Sequence, residues 1–374
     1  MDVEPFYRNR AGVGRYVAGI LGGLTRLEEK DEFTLFRSST YAGEEDVPGL
    51  VRDRLREKVL PMSHRALALA WMLTGRPLVE TFIGDHELFI SPGVPAFPTR
   101  GKLVVVVYDM VWAKFPEFYP WHSVLLRRIS FRRVVRKCLG IVTISETSRR
   151  DILEATGFEE RRVRTAYPGV EPRLCLRPTE EEILRVLARF GARRPYVLTI
   201  AGDNGPKKNL PNLVRAMAQL PADHREVMLM NVGEPRYDVR AVKELIDELG
   251  MSERVRFLGR VSDDDLRSLY AGARLTAYPS FYEGFGFPIV ESMALGTPVV
   301  TSNVSAMPEV AGGAALLVNP RDVEELSRAI GSLLGDERLH ADLRAKGLER
   351  VKDFRWEKSA RQTRDFLAEL SERS

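Results

Sequence analysis

Residues 282–300, YEGFGFPIVESMALGTPVV, set two carboxylates, Glu283 and Glu291, on either side of the expected start of one short helix. Pro288 suits the first helical position, where the missing N–H is one no helix bonds, and Gly296 followed by Pro298 ends the helix after about two turns. Glu283 then lies in the entering loop and Glu291 at about the fourth helical position. Between them Gly284, Phe285, Gly286 and Phe287 bring backbone N–H groups to the positive end of the helix dipole, a place suited to an anion. A diphosphate can accept from those N–H groups while each carboxylate accepts hydrogen bonds from hydroxyls. A plainer reading, an exposed loop Glu and a solvated helix Glu, would serve for an isolated pair of this spacing in a chain with 52 acidic residues.

The context favours the first reading. Downstream, VVTSNVSAMPEVAGGAALLVNP gives a strand at 299–301 and a second turn and helix at 308–310. With this continuation the stretch resembles the retaining glycosyltransferases of the large family numbered 4, which have the GT-B architecture. The resemblance implies an α/β fold of two Rossmann-like, doubly wound domains facing a cleft. It also implies a nucleotide-sugar donor, with Glu283 beside the transferred sugar and Glu291 on the ribose hydroxyls.

Composition sets the wider bounds. At 374 residues the chain suits two domains, and 44% apolar with 29% charged residues is ordinary for a globular protein. The longest aliphatic run, 103–107, is far short of the ~20 residues that span a bilayer, and no basic-then-apolar leader opens the sequence. A cytoplasmic protein is expected. The two cysteines, Cys138 and Cys175, have no metal spacing and read as buried packing thiols. The five histidines show no ligand spacing either.

Net charge is +4, but residues 1–175 hold 27 Lys and Arg against 22 Asp and Glu, so the basic surplus lies in the first half. Part of it is concentrated in LLRRISFRRVVRKC, where Leu125, Ile129, Val134 and Cys138 are expected to share one helical face and Arg128, Arg132, Arg136 and Lys137 another. That segment is either a solvated surface helix or a peripheral contact for an anionic membrane or a pyrophosphate-linked acceptor lipid, at the inner face of the cell membrane. Nucleic acid is disfavoured, because no recognised binding motif accompanies the basic run.

Short β-branched runs alternating with helical patterns predict parallel sheets. Strands are expected at 103–108, 141–145 and 163–167, then at 196–201, 227–231, 255–258, 275–278, 298–301 and 315–318. These place an N-terminal acceptor-binding domain at 1–175, a nucleotide-sugar-binding domain at 176–355, and a terminal helix at 356–374 that the resemblance would send back to the first domain. Relatives usually open with an apolar strand ahead of a segment like DVEPFYRNRAGVGRY. Here Asp2 follows Met1 directly, so a first strand is expected to be missing.

Four further segments complete the reading. Gly12, Gly14 and Arg15 form a helix-opening turn; Val17 stands where a dinucleotide fingerprint needs its third glycine, which weakens a nicotinamide enzyme as an alternative. By resemblance this turn faces donor phosphates or acceptor; otherwise it is a plain helix entry. AGDNGPKKNL, at 201–210, resembles the family's basic segment, making Lys207 and Lys208 diphosphate ligands that need no metal, although a lysine pair on a turn is ordinarily just solvated. Asp263, Asp264 and Asp265 read as a helix N-terminus and not as a metal site. Arg260 and Val261 match the turn where relatives hold the nucleobase. Tyr108 and Asp109 end the strongest N-terminal strand, where many relatives have His-Asp; Asp109 is then an acceptor base or merely caps the next turn. Tyr108 is expected to face the substrate and to supply a hydroxyl in place of the relatives' imidazole, but not to act as a base near neutral pH without a large pKa depression.

The expectation is a retaining, metal-independent hexosyltransferase without cofactor, moving mannose or a similar hexose from a GDP- or UDP-linked donor to a glycan or polyprenyl-linked acceptor of envelope polysaccharide. A transferase acting on a soluble small-molecule acceptor and a catalytically dead nucleotide-sugar-binding protein are the alternatives.

Overall fold

The computed structural model describes the chain apart from residues 9–11, 28–30, 42–46, 48, 52, 54, 64–65, 68–69, 72–73, 95, 202–204, 235–239 and 373–374. It divides into two compact units, Met1–Gly169 with Phe354–Ser374, and Val170–Asp353.

In the first unit β1 (Phe33–Ser38) and β2 (Leu55–Leu60) form a parallel pair. A second parallel sheet runs in the order β3 (Leu88–Ser91), β4 (Lys102–Val107), β5 (Gly140–Thr143) and β6 (Val163–Thr165). β5 is buried throughout and β4 from its second residue, as expected of a parallel sheet covered on both faces. Sequence periodicity finds β4, β5 and β6 to within a residue or two and misses the first three. The reason is visible in β2, LREKVL, whose middle four residues are exposed, so no apolar run marks it. At the start of the chain Asp2 bridges Phe36 of β1, with Val3 N donating to Phe36 O at 3.0 Å and Phe36 N to Met1 O at 3.2 Å.

Two helices of this unit, Gly12–Leu27 and Trp356–Glu372, pack closely because glycine lets them. A Cβ on Gly19 would stand 2.1 Å from Trp356 Cε2, and one on Gly23 would stand 2.6 Å from Ala360 Cβ. Gly19→Val is therefore expected to destabilise the first unit by about 3 kcal/mol through overpacking. Adding Trp356→Ala should recover part of that loss in urea unfolding, and additive effects would show that the two positions do not meet.

Two sequence expectations fail here. Leu125, Ile129, Val134 and Cys138 do not share a face of the helix Trp121–Val135: Val134 and Cys138 are buried, while Leu125 and Ile129 are exposed. At ~100° per residue Val134 lies about 140° from Ile129, so one stripe cannot hold both. Cys138 is the buried thiol expected, pushed up to about 11 by desolvation, but Cys175 is exposed at the end of the turn Pro172–Cys175, where Leu174 takes the buried place.

The second unit holds one parallel sheet of β7 (Tyr196–Ile200), β8 (Met228–Val232), β9 (Val255–Gly259), β10 (Leu275–Tyr278), β11 (Val299–Ser302) and β12 (Leu316–Val318). All six match predicted strands closely. Their order is β12-β11-β10-β7-β8-β9, so the chain builds outward from β7 on one side and from β10 on the other. The direction reverses between these two neighbours, and in such sheets the ligand crevice opens outside the carboxyl ends at the reversal. Leu213, Val214 and Met217 of the helix Leu210–Ala218, with Leu326, Ile330 and Leu333 of the helix Val323–Gly335, belong to the buried core of this sheet. The loops leaving β7 and β10 are thereby fixed side by side.

Candidate active site

The loop after β7 winds through a short turn, Gly205–Lys208, into Asn209, whose φ of 58° is in the left-handed region. Asparagine tolerates this conformation better than most residues. The buried Asn209 amide donates to Pro279 O at 3.0 Å and Pro320 O at 2.6 Å, and Phe281 N donates to Lys207 O at 2.8 Å. These bonds join the β7 and β10 loops. Residues 202–204 of the same segment lie outside the described residues.

Lys208 Nζ donates to Glu283 Oε1 at 2.7 Å, and Lys207 Nζ stands 3.5 Å from Glu283 Oε2. Lys208 also donates to the Tyr278 hydroxyl and sits 4.5 Å above that ring. Both lysines are 8% exposed and Glu283 is 6% exposed, so the solvated-turn reading of the lysine pair is wrong. Burial pushes the Glu283 carboxyl up, but the two ammonium groups more than offset it and hold the pKa at about 2. Burial and the neighbouring Glu283 charge push the Tyr278 phenol well above its usual range. Glu283 thus faces two lysine side chains in a place where water screens charge little.

The backbone of Glu283 is held separately. Its N–H donates to Ser305 Oγ at 3.1 Å, and that hydroxyl donates back to Glu283 O at 2.6 Å. Gly284 and Phe285 follow, both buried, and Gly286 opens the helix Phe287–Ala294 with φ 98°, a conformation that excludes residues with a Cβ. Phe287, half-buried, is the first helical residue, so Pro288 is the second and Glu291 the fifth, one later than the sequence suggests. Glu291 is not a solvated helix Glu: it is 3% exposed and accepts from the Tyr270 hydroxyl at 2.9 Å. Asp263, Asp264 and Asp265 form the first turn of the helix Asp263–Gly272, the helix N-terminus that the sequence predicts, and Ser262 caps it.

The remaining predicted residues are placed elsewhere. Val261, half-buried, follows β9, two strands from β7 and so about 10 Å along the sheet edge. Gly12, Gly14 and Arg15 begin the helix Gly12–Leu27 of the first unit. From that helix Tyr16 meets Tyr108 edge-on with ring centroids 5.3 Å apart. The Tyr108 hydroxyl is buried without a hydrogen-bond partner among the described residues, and desolvation raises its pKa well above 10. Asp109 accepts from Val111 N at 3.1 Å through Oδ1, so one of its two oxygens caps the next turn. Tyr278, Tyr270, Ser305 and Asn209 escape the sequence reading. Of these only Tyr278, a polar residue ending a buried strand, leaves a recognisable trace.

Residues 188–350, which include the lysine–glutamate cluster, match the family described as glycosyl transferases group 1. O-antigen chain mannosyltransferase B of Escherichia coli is 31% identical over 376 residues, covering 96% of this chain and 96% of that relative. The chain belongs to the group 1 glycosyltransferases. Membership sets aside the nicotinamide alternative. A mannosyltransferase of Mycolicibacterium hassiacum, described as an MMP alpha-(1->4)-mannosyltransferase, is 34% identical to this glycosyltransferase over 270 residues, 71% of this chain and 61% of the relative. Among solved structures, Anabaena Alr3699/HepE in complex with UDP and glucose superposes with a TM-score of 0.77 at 21% identity, covering 96% of this chain and 97% of that one. The fold of this glycosyltransferase is GT-B.

Proposed function

We propose that this glycosyltransferase moves mannose, or a closely related hexose, from a GDP- or UDP-linked donor to a glycan or polyprenyl-linked acceptor in the cytoplasm, with retention at the anomeric carbon and without a metal or other cofactor. The observation that carries the reading is the buried Lys207–Glu283–Lys208 cluster at the β7–β10 reversal. The mannosyltransferase relatives support the choice of sugar and a growing glycan as acceptor.

In this scheme the two ammonium groups and the N–H groups of the segment Gly284–Phe287 take the donor diphosphate, and their positive charge meets the negative charge that grows on it as the glycosidic bond breaks. Glu283, released from the lysines by the diphosphate, accepts hydrogen bonds from the sugar hydroxyls. Glu283 alone of the pair is assigned to the sugar, so attack is assigned to the same face from which the diphosphate leaves, and the diphosphate itself takes the acceptor proton. Tyr108, its phenol buried and its pKa raised, takes no part in proton transfer. Val261 lies on the nucleobase side, and the Gly12, Gly14 and Arg15 turn and Asp109 serve the acceptor.

Glu291 is assigned to the ribose hydroxyls. Glu291→Gln is expected to raise KM for the donor about 10- to 100-fold, the value of a charged hydrogen bond, while kcat changes by less than about threefold. A fall in kcat with KM unchanged would remove Glu291 from ribose binding. The reading as a whole is tested by thermal shift and donor hydrolysis with GDP-mannose, GDP, several UDP-sugars, UDP and NAD, each with and without EDTA. Stabilisation and slow hydrolysis of one sugar nucleotide in EDTA support it; hydrolysis abolished by EDTA, or no response to any nucleotide, defeats it.

A further inference from the structure

Between positions 118 and 145 the chain carries six lysines and arginines and no aspartate or glutamate. The helix Trp121–Val135 organises most of this run. Phe131 and Val134 turn inward to the core of the first unit. On the opposite side Trp121 is 77% exposed, and Leu125, Leu126 and Ile129 are 48%, 55% and 50% exposed. Arg128, Arg132, Arg133, Arg136 and Lys137 are exposed as well and form no ion pair among the described residues. At ~100° per residue, Trp121, Leu125, Ile129, Arg132 and Arg136 fall within an arc of about 80°. Apolar and basic residues are thus separated along the helix and not around it: the first two turns are greasy, the last two cationic, over roughly 20 Å.

This surface selects among partners. Nucleic acid would use the cations but has no use for four exposed aliphatic and indole side chains beside them. A second copy of the chain, meeting this face by a twofold axis, would set unneutralised cations against their own images if the helices ran parallel, or against apolar side chains if they ran antiparallel. A bilayer with anionic headgroups accepts both halves: leucine, isoleucine and tryptophan enter the headgroup and upper acyl region, and arginines bind the phosphates. No helix among the described residues is long and apolar enough to cross a membrane, so such a contact is peripheral.

We infer that the outward face of the helix Trp121–Val135, with Arg136 and Lys137, docks on an anionic bilayer surface, its first half inserted at headgroup level and its arginine half lying along the phosphates. For a transferase this is where a lipid-linked acceptor would be met, but the inference stands on the surface alone and not on the donor chemistry.

The test is flotation of the whole protein with phosphatidylcholine vesicles, with and without about one-third phosphatidylglycerol, at ~0.1 M and ~0.5 M salt. Binding is expected only with phosphatidylglycerol and should fall at the higher salt. Trp71, Trp112 and Trp356 are buried or half-buried, so a blue shift of tryptophan emission on vesicles should report Trp121 and be absent in Trp121→Phe. Arg132→Glu with Arg133→Glu, both exposed, is expected to weaken binding by roughly tenfold or more with the melting temperature unchanged. No flotation at low salt, equal flotation of the charge-reversed variant, or a lipid-independent dimer abolished by Trp121→Ser would each overturn the inference. Because none of these measurements needs a donor, their failure leaves the transferase reading standing, and failure of the nucleotide screen leaves this one standing.

Discussion

Lys208→Met is expected to lower donor turnover by about 10²- to 10³-fold, the loss that follows removal of one group aimed at charge developing in a transition state. Lys207→Met should cost less, about tenfold. The asymmetry comes from geometry: Lys208 reaches Glu283 at 2.7 Å and is also anchored by the Tyr278 hydroxyl and ring, whereas Lys207 stands 3.5 Å from the other carboxylate oxygen. A flexible side chain held from three directions has already lost the rotamer freedom it would otherwise lose on meeting the diphosphate. Tyr278→Phe keeps the ring but removes the hydroxyl, and is expected to fall between the two lysine variants in kcat. Single-turnover kinetics with saturating donor would check all three. Equal losses at Lys207 and Lys208 would show that total charge matters and that the anchoring does not.

The sequence reading reaches this site unevenly, for physical reasons. The second unit was legible because its strands are short, apolar and separated by helical patterns, and because Gly286, Pro288, Gly296 and Pro298 mark the ends of the helix holding Glu291. In the first unit β1, β2 and β3 were missed: β2 is charged and largely exposed, and β3 spans only Leu88–Ser91. Sequence spacing also brought Glu283 and Glu291 together without revealing that each is buried against a different tyrosine. Tyr278 precedes Glu283 by five positions and Tyr270 precedes Glu291 by 21, the latter on a separate helix. Pairings of that kind depend on how helices and strands stack, and no local pattern encodes them. The helix Trp121–Val135 shows the opposite error. Its i, i+4 spacings suggest a single apolar stripe, whereas the angular positions of these residues divide them between the core and the surface.

Glu283→Gln separates the structural work of this carboxylate from its proposed chemical work. In the folded protein the Glu283 pKa of about 2 lies below its ordinary value of 4.5. A depressed carboxylate contributes stability that is fully present above pH ~4.5 and is lost as pH falls through ~2. That contribution is about 3 kcal/mol. The variant, left with two buried ammonium groups facing a neutral amide, is therefore expected to be less stable than the parent by about 3 kcal/mol near pH 6, lowering Tm by roughly 6–12 °C if the second unit unfolds on its own. The difference should shrink as pH falls below about 4 in parallel urea titrations; a gap that stays constant down to pH ~2.5 would mean that the ion pairs do not produce it. Ligands should divide the two roles further. With Glu283 neutral, Lys207 and Lys208 no longer have to exchange a carboxylate for a diphosphate, so the nucleoside diphosphate alone should bind more tightly than it does to the parent. Transfer from the intact sugar nucleotide should nevertheless fall about 10²-fold or more, because a neutral amide accepts more weakly from the sugar hydroxyls and offers no charge to the forming cation. Tighter product binding together with slower transfer is the signature of a carboxylate that guards the lysines when the site is empty and turns to the sugar when it is full. Weaker binding of both nucleotide and sugar nucleotide would instead assign Glu283 to holding the loop alone.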